Sequence, residues 1–272
     1  MKVGSGRYAK VYLARERKSK FIVAIKAIPK KEIARGCIVD LIQNEIDVQT
    51  HLSHPNILGL YGYFWDDSRI YMVMEYGFYG DLKKFLDQNG KLSERQASWF
   101  VQRIANAIAY MHSRGVIHRD IKAENILIGD GFEPKLCDFG WAVHKGNKQR
   151  TTVCGTPAYM PPEVAAGDSY EFEADLWCLG VLTYELCTGR TPFGERETDK
   201  IQENIRNKEL VFPASLSPKC VDFIQGLLRE KEKRLNIQQV LAHSWLTQYN
   251  YIGTREKESR RTMDYYYYYT CL

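Results

Sequence analysis

Several features that would place this chain outside ordinary globular proteins are missing from it. No apolar run approaches the roughly 18 residues that a membrane-spanning helix needs, and the opening MKVGSGRYAK has no hydrophobic block resembling a secretory leader. The seven cysteines include no Cys-x-x-Cys pair and do not join the six histidines at a metal-ligand spacing. That pattern argues against a disulfide scaffold or zinc finger, and for a reducing compartment in which the thiols act as small core hydrophobes. No repeat with a period of 20 to 50 residues is visible, so a solenoid is excluded. Charge of one sign is also scarce, since 38 basic minus 33 acidic residues leaves +5, which permits an anionic partner such as a nucleotide without demanding nucleic acid. What remains is 272 residues with 44% hydrophobic and 26% charged content, enough for one large domain or two small ones, expected to be soluble and intracellular.

The first 75 residues read as strands around one helix, and the rest mainly as helices. Val11 to Ala14, Phe21 to Ile25, Gly59 to Trp65 and Ile70 to Glu75 are short runs rich in β-formers. Between them, Ile38 to Leu52 places Ile38, Leu41, Ile42, Glu45, Ile46 and Gln49 at helical spacing, so this helix carries an acid and an amide on its apolar face. Tyr76 to Gly80 reads as a hinge. Helices are expected over Asp81 to Gln88, over Ser93 to Ser113 where Ser93-Glu94-Arg95-Gln96 forms a capping box, and over Phe172 to Cys187, Thr198 to Asn207, Pro218 to Leu228 and Ile237 to Leu246. The expected division is therefore 1–75, a hinge at 76–80, 81–249, and a disordered tail at 250–272 that holds the uninterrupted Tyr265 to Tyr269 run. Four basic residues around Arg260-Arg261 are too few to favour membrane or nucleic-acid binding over a solvated tail.

Gly4-Ser5-Gly6 just before a strand could bring backbone N–H groups close to phosphate oxygens, although two glycines in a turn are by default only a turn. Val23-Ala24-Ile25-Lys26 ends an apolar strand on a lysine, which needs a counter-charge or a bound anion, and Glu45 is the obvious partner. His118-Arg119-Asp120-Ile121-Lys122-Ala123-Glu124-Asn125 packs six polar or charged residues into eight between apolar runs. There Asp120 can accept the proton of an attacking hydroxyl, Lys122 can neutralise a transferring phosphoryl group, and Asn125 can offer an oxygen to Mg²⁺. Thirteen residues further on, Asp138-Phe139-Gly140 follows the strand-like Pro134 to Cys137 and supplies a second metal-binding oxygen donor.

In this order and spacing, over about residues 3 to 249, these motifs resemble a eukaryotic protein kinase. The resemblance implies an α+β bilobal fold, a small β-rich N-lobe with one regulatory helix and a larger helical C-lobe. It also implies ATP and Mg²⁺ as cofactors. Gly4, Gly6 and the backbone near Ala9 would cover ATP, Val11 and Ala24 would sandwich adenine, Met74 would be the gatekeeper, and Glu75 and Gly77 would offer hinge backbone. Lys26 would pair with Glu45, Asp120 would be the catalytic base beside Lys122, and Asn125 and Asp138 would hold the metal. Lys122 and the Gly155 to Tyr159 stretch are similar to serine/threonine rather than tyrosine kinases. Thr156 would touch Asp120 and Lys122, Glu163 would pair with Arg234, and Asp175 would anchor the catalytic loop.

Three stretches, His54 to Phe64, Asp138 to His144, and Arg150 to Thr156 followed by Pro161-Pro162-Glu163, resemble Aurora kinases. Gln49, one turn after Glu45, does too, and a polar residue there should leave the active arrangement less self-supporting. The resemblance implies an activating phosphosite at Thr152, with Arg119 positioned to pair with the phosphate. It further implies recognition of substrate arginine by Glu124, Glu185 and Asp81, an activator that docks on the N-lobe, protein substrates, a monomer, and mitotic work in cytoplasm and nucleus at centrosome, spindle or chromosome. Direct nucleic-acid or membrane binding is not expected. The departures are Ala9 for the third loop glycine, Ala123 after Lys122, Pro157-Ala158, and Asn44 where Aurora kinases carry an arginine that would meet the phosphate. By the same resemblance, the sequence would begin inside the first strand. A pseudokinase scaffold without turnover and another basophilic kinase stand as alternatives.

Overall fold

Strand-forming residues dominate the first part of the chain, and in the computed structural model they make one twisted antiparallel sheet. The structure describes residues 1–6, 8–36, 39–144, 156–169, 171–194, 203–205 and 210–249. Strands β1 (Lys2–Ser5), β2 (Lys10–Arg15), β3 (Ile22–Pro29), β4 (Leu60–Trp65) and β5 (Arg69–Met74) lie in the order β1-β2-β3-β5-β4. The β3 register sets Lys26 opposite Val11 and Ala24 opposite Met74, which gathers the nucleotide candidates onto neighbouring strands. On α2 (Val39–Thr50) the buried positions Ile42, Glu45, Ile46 and Gln49 fall at i, i+3, i+4 and i+7, the face that packs on this sheet. Ile28, Ile42, Ile46, Leu58, Met72 and Met74 form the small core between them. Helix α1 (Lys30–Gly36), which sequence periodicity did not suggest, follows β3 directly.

After the short α5 (Pro162–Ala165), the second part is organised around α6 (Phe172–Thr188), buried on every side from Ala174 to Cys187. Its Gly180 admits the helix Pro218–Leu227 so closely that a Cβ there would lie 2.8 Å from Leu227 Cβ. Helix α3 (Leu82–Asn89) starts at Asp81, whose side chain caps Lys84 N. The expected capping box opens α4 (Glu94–Ser113), with Ser93 and Gln96 satisfying each other's backbone N–H groups. The last expected helix is two, Ile237–Ala242 and Ser244–Thr247, because His243 leaves helical geometry and its side chain caps Trp245 N. Of Thr198 to Asn207, only 203–205 are described, and they are helical. The tail from 250 onward, with its tyrosine run, lies outside the described residues, and among those described no helix is long and apolar enough to cross a membrane.

Two short antiparallel pairs frame the functional loops. Strands β6 (Val116–Ile117) and β9 (Val143–His144) pair, as do β7 (Ile126–Ile128) and β8 (Pro134–Leu136). The His118 to Asn125 loop runs from β6 to β7, and Asp138-Phe139-Gly140 lies between β8 and β9, so both loops leave paired strands side by side. The two parts are stitched where Leu58 N donates to Leu136 O at 2.9 Å and Leu136 N to Asn56 O at 2.9 Å.

Candidate active site

The His118 to Asn125 loop is held by one carboxylate. Asp175, fully buried on α6, accepts from the backbone N–H groups of His118 and Arg119 at 3.0 Å each, and its Oδ2 lies 2.9 Å from His112 Nε2. Burial opposes its charge, but the His112 ring and these donors outweigh it and hold the carboxyl below the ordinary aspartate range. His118 is itself fully buried, edge-on to the Phe139 ring at 4.9 Å, with Nε2 3.2 Å from Cys137 O. Arg119 (φ 70°) and Asp138 (φ 66°) adopt the left-handed region that ordinary residues avoid, so the surroundings impose the loop's shape.

Above this anchor the charged groups converge. Asp120 Oδ2 is 2.9 Å from Lys122 Nζ and accepts from Asn125 Nδ2 at 2.8 Å, while Thr156 Oγ1 reaches Asp120 Oδ1 at 3.3 Å and accepts from Lys122 Nζ at 2.6 Å. Asn125 also spends its amide N–H on Asp120 O at 2.8 Å, which leaves its side-chain oxygen as the donor atom available to a hard cation. Across the cleft, Lys26 Nζ donates to both Glu45 oxygens at 2.7 and 2.8 Å. Burial works against the lysine charge, and Glu45 and Asp138 more than offset it, so Lys26 is held above its ordinary pKa and stays cationic. A lysine fixed by one carboxylate and still partly exposed suits an anionic phosphate, and the oxygens of Asn125 and Asp138 suit Mg²⁺, so the residues fit Mg·ATP.

Val11, Ala24 and Met74 belong to one apolar cluster of the sheet, and Leu127 and Cys137 from the helical part pack against the same cluster. Leu127 is marked in the sequence only by the apolar run Ile126-Leu127-Ile128 immediately after Asn125. A Cβ on Gly77 would sit 2.9 Å from Leu127 Cβ, so the hinge glycine permits this approach. The Glu75 side chain is engaged, Oε1 pairing with Lys135 at 2.7 Å and Oε2 accepting from Gly59 N at 3.2 Å, and its backbone N–H donates to Gly59 O at 2.8 Å, so its carbonyl is the backbone group left for a ligand. Gly4 lies at the end of β1 and Gly6 donates to Ala9 O at 2.9 Å, closing the loop over the small buried Ala9.

Asn44 is not merely a missing arginine. Its Nδ2 reaches the carbonyl oxygens of Phe139, Gly140 and Ala142 at 3.2, 3.2 and 2.6 Å, which ties α2 to the segment after Asp138. Arg119 Nε donates to Trp141 O at 2.5 Å, so the same segment is bound from the catalytic loop as well. Gln49 Nε2 donates to Leu58 O at 2.7 Å, while its Oε1 is buried with no partner among the described residues. Glu163 and Arg234 form the expected two-pronged pair at 2.7 and 3.0 Å.

The three acids assigned to substrate arginine differ in their surroundings. Glu124 is exposed. Asp81 caps α3 and pairs with Lys84 Nζ at 2.8 Å. Glu185 is buried, bound by Lys83 Nζ at 3.0 Å and by the Tyr159 hydroxyl, an arrangement that sequence reading did not foresee. Thr152 and Arg150 lie outside the described residues.

Comparison with known proteins agrees with this geometry. The profile of the protein kinase domain matches residues 1–246. An Aurora kinase of Dictyostelium discoideum is 44% identical over 245 residues, covering 90% of this chain and 64% of that protein, so the chain spans just under two thirds of that relative. Aurora kinase C of Mus musculus is 42% identical over 249 residues, covering 91% of this chain and 90% of that protein. An Aurora kinase of Schizosaccharomyces pombe is 42% identical over 256 residues, covering 93% of this chain and 72% of that protein. With the bilobal fold, these matches place the chain in the protein kinase family and, within it, among the Aurora serine/threonine kinases.

Proposed function

We propose that this chain transfers the γ-phosphoryl group of Mg·ATP to serine or threonine hydroxyls of protein substrates. The observation that carries the reading is Asp120, a carboxylate contacted by Lys122, Asn125 and Thr156 on a loop that buried Asp175 holds in place. In that role Asp120 orients the incoming hydroxyl and accepts its proton, while Lys122 neutralises charge beside the transferring group. Lys26 holds the nucleotide phosphates because Glu45 fixes its ammonium, and Val11, Ala24, Met74 and Leu127 close on the base. Asn125 and Asp138 would hold Mg²⁺, which when bound screens the phosphate charge. Catalysis is then mainly positioning and charge neutralisation.

The finer reading is that Thr152 is the activating phosphosite, that basic residues upstream of the acceptor meet Glu124, Glu185 and Asp81, and that an activator docks on the N-lobe. By family, the protein works as a monomer in mitosis at centrosome, spindle or chromosome. The test is radiolabelled transfer from Mg·ATP to peptides carrying arginine two residues before serine, threonine or tyrosine. Labelling of the serine and threonine peptides but not the tyrosine peptide, reduced in Thr152→Ala, is expected. Folded protein that binds ATP and labels none of them would instead be a scaffold.

A further inference from the structure

Helix α3 delivers a lysine to each of two acids that would face a basic substrate residue. Lys84 pairs with Asp81 at the start of the helix, and Lys83 turns the other way, into the helical lobe, to Glu185 in the last turn of α6. Glu185 is only 2% exposed: one oxygen accepts from Lys83 Nζ at 3.0 Å and the other from the Tyr159 hydroxyl. Lys83 is 26% exposed and continues outward to Asp87 Oδ1 at 3.2 Å, whose side chain is 60% exposed. The ammonium therefore stands between a buried carboxylate and a solvated one. Glu124, in contrast, is exposed and takes part in no ion pair among the described residues.

We propose that Lys83 is a specificity-determining residue whose ammonium takes the place on Glu185 that a substrate arginine would fill, leaving Glu124 to read a basic residue by itself. The inference rests on the reading that Glu124 and Glu185 face the substrate, and narrows it, giving contact with the basic residue to Glu124 while Lys83 holds Glu185. A buried carboxylate is costly without a cation, and Lys83 already meets that need. An arriving guanidinium has to break one charge-assisted bond to form another. The exchange brings little net gain, so arginine is selected weakly over a neutral residue. Removing the ammonium while keeping an apolar stem leaves Glu185 without its cation, and a guanidinium then supplies what the fold no longer does.

The test compares kcat/KM for two serine peptides that differ only in arginine or alanine two residues before the acceptor, using wild type, Lys83→Met and Lys83→Arg. Wild type and Lys83→Arg should prefer the arginine peptide by no more than about threefold, and Lys83→Met should widen that preference by about tenfold or more, the scale of one charge-assisted bond. Adding Glu185→Gln to Lys83→Met should remove the gain. The inference is overturned if wild type already discriminates by about thirtyfold, or if a normally melting Lys83→Met keeps the wild-type ratio. Should Lys83→Met fail to fold, the wild-type ratio decides alone. Failure of the kinase reading would look different, as absence of transfer to either peptide by wild type.

Discussion

The two sides of the cleft are held by different means. On the side of the His118 to Asn125 loop, Asp175 lies in the most enclosed of the described helices and fixes two backbone N–H groups, with a continuous apolar core around it. On the Lys26 side, a thin sheet and one helix carry the lysine and Glu45 fixes it, while the neighbouring Asn44 amide ties that helix to the carbonyls of Phe139, Gly140 and Ala142. The outer strand β4 even turns Tyr61, Tyr63, Phe64 and Trp65 to solvent. On the proposed function, the chemistry is thus built into the packed lobe, while the alignment of ATP depends on a few side chains.

Disturbing the packed side should have the largest effect on stability. Asp175→Ala strands two buried N–H groups and His112, and should cost about 3 to 5 kcal/mol in chemical denaturation. Because the folded Asp175 carboxyl sits below its unfolded value, its stabilisation is present above the unfolded pKa and lost as pH falls through the folded one. The stability gap between wild type and Asp175→Ala should therefore narrow in acid. An acid-independent gap would mean that the carboxylate charge is irrelevant to the anchor.

Disturbing the nucleotide side should instead cost rate. Asn44→Asp keeps the shape but turns donors into an acceptor facing three carbonyls, and should lower kcat about tenfold or more with little change in thermal melting. Wild-type kcat in this variant would mean that α2 and the Asp138 segment align without it. The smallest change belongs to Gln49→Leu, which removes the unpartnered buried Oε1 at the loss of the bond to Leu58 O. Activity without phosphorylation or partner should rise about twofold to fivefold, measured on phosphatase-treated protein.

The contrast between the sides also explains what could be read from sequence. Asp120, Asn125, Asp138 and Lys26 stand out because an apolar chain has little other reason to set those charges at those spacings. The capping box at Ser93 was equally legible, being satisfied within four residues. Helix α1 was not, because a short charged turn after a strand has no long apolar period to announce it. The partners of Asn44 lie 95 residues or more away and are backbone carbonyls, which carry no side-chain signature. The Lys83–Glu185 pair spans 102 residues, so composition revealed the acid but not the cation already resting on it.

The most direct test of the account is single-turnover phosphoryl transfer from Mg·ATP by wild type and Asp120→Asn, with melting and ATP binding measured on the same samples. The account predicts that Asp120→Asn melts and binds ATP like wild type and transfers phosphate about a hundredfold or more slowly. Undiminished transfer by a folded Asp120→Asn protein would contradict the assignment of Asp120 and of the loop built around it.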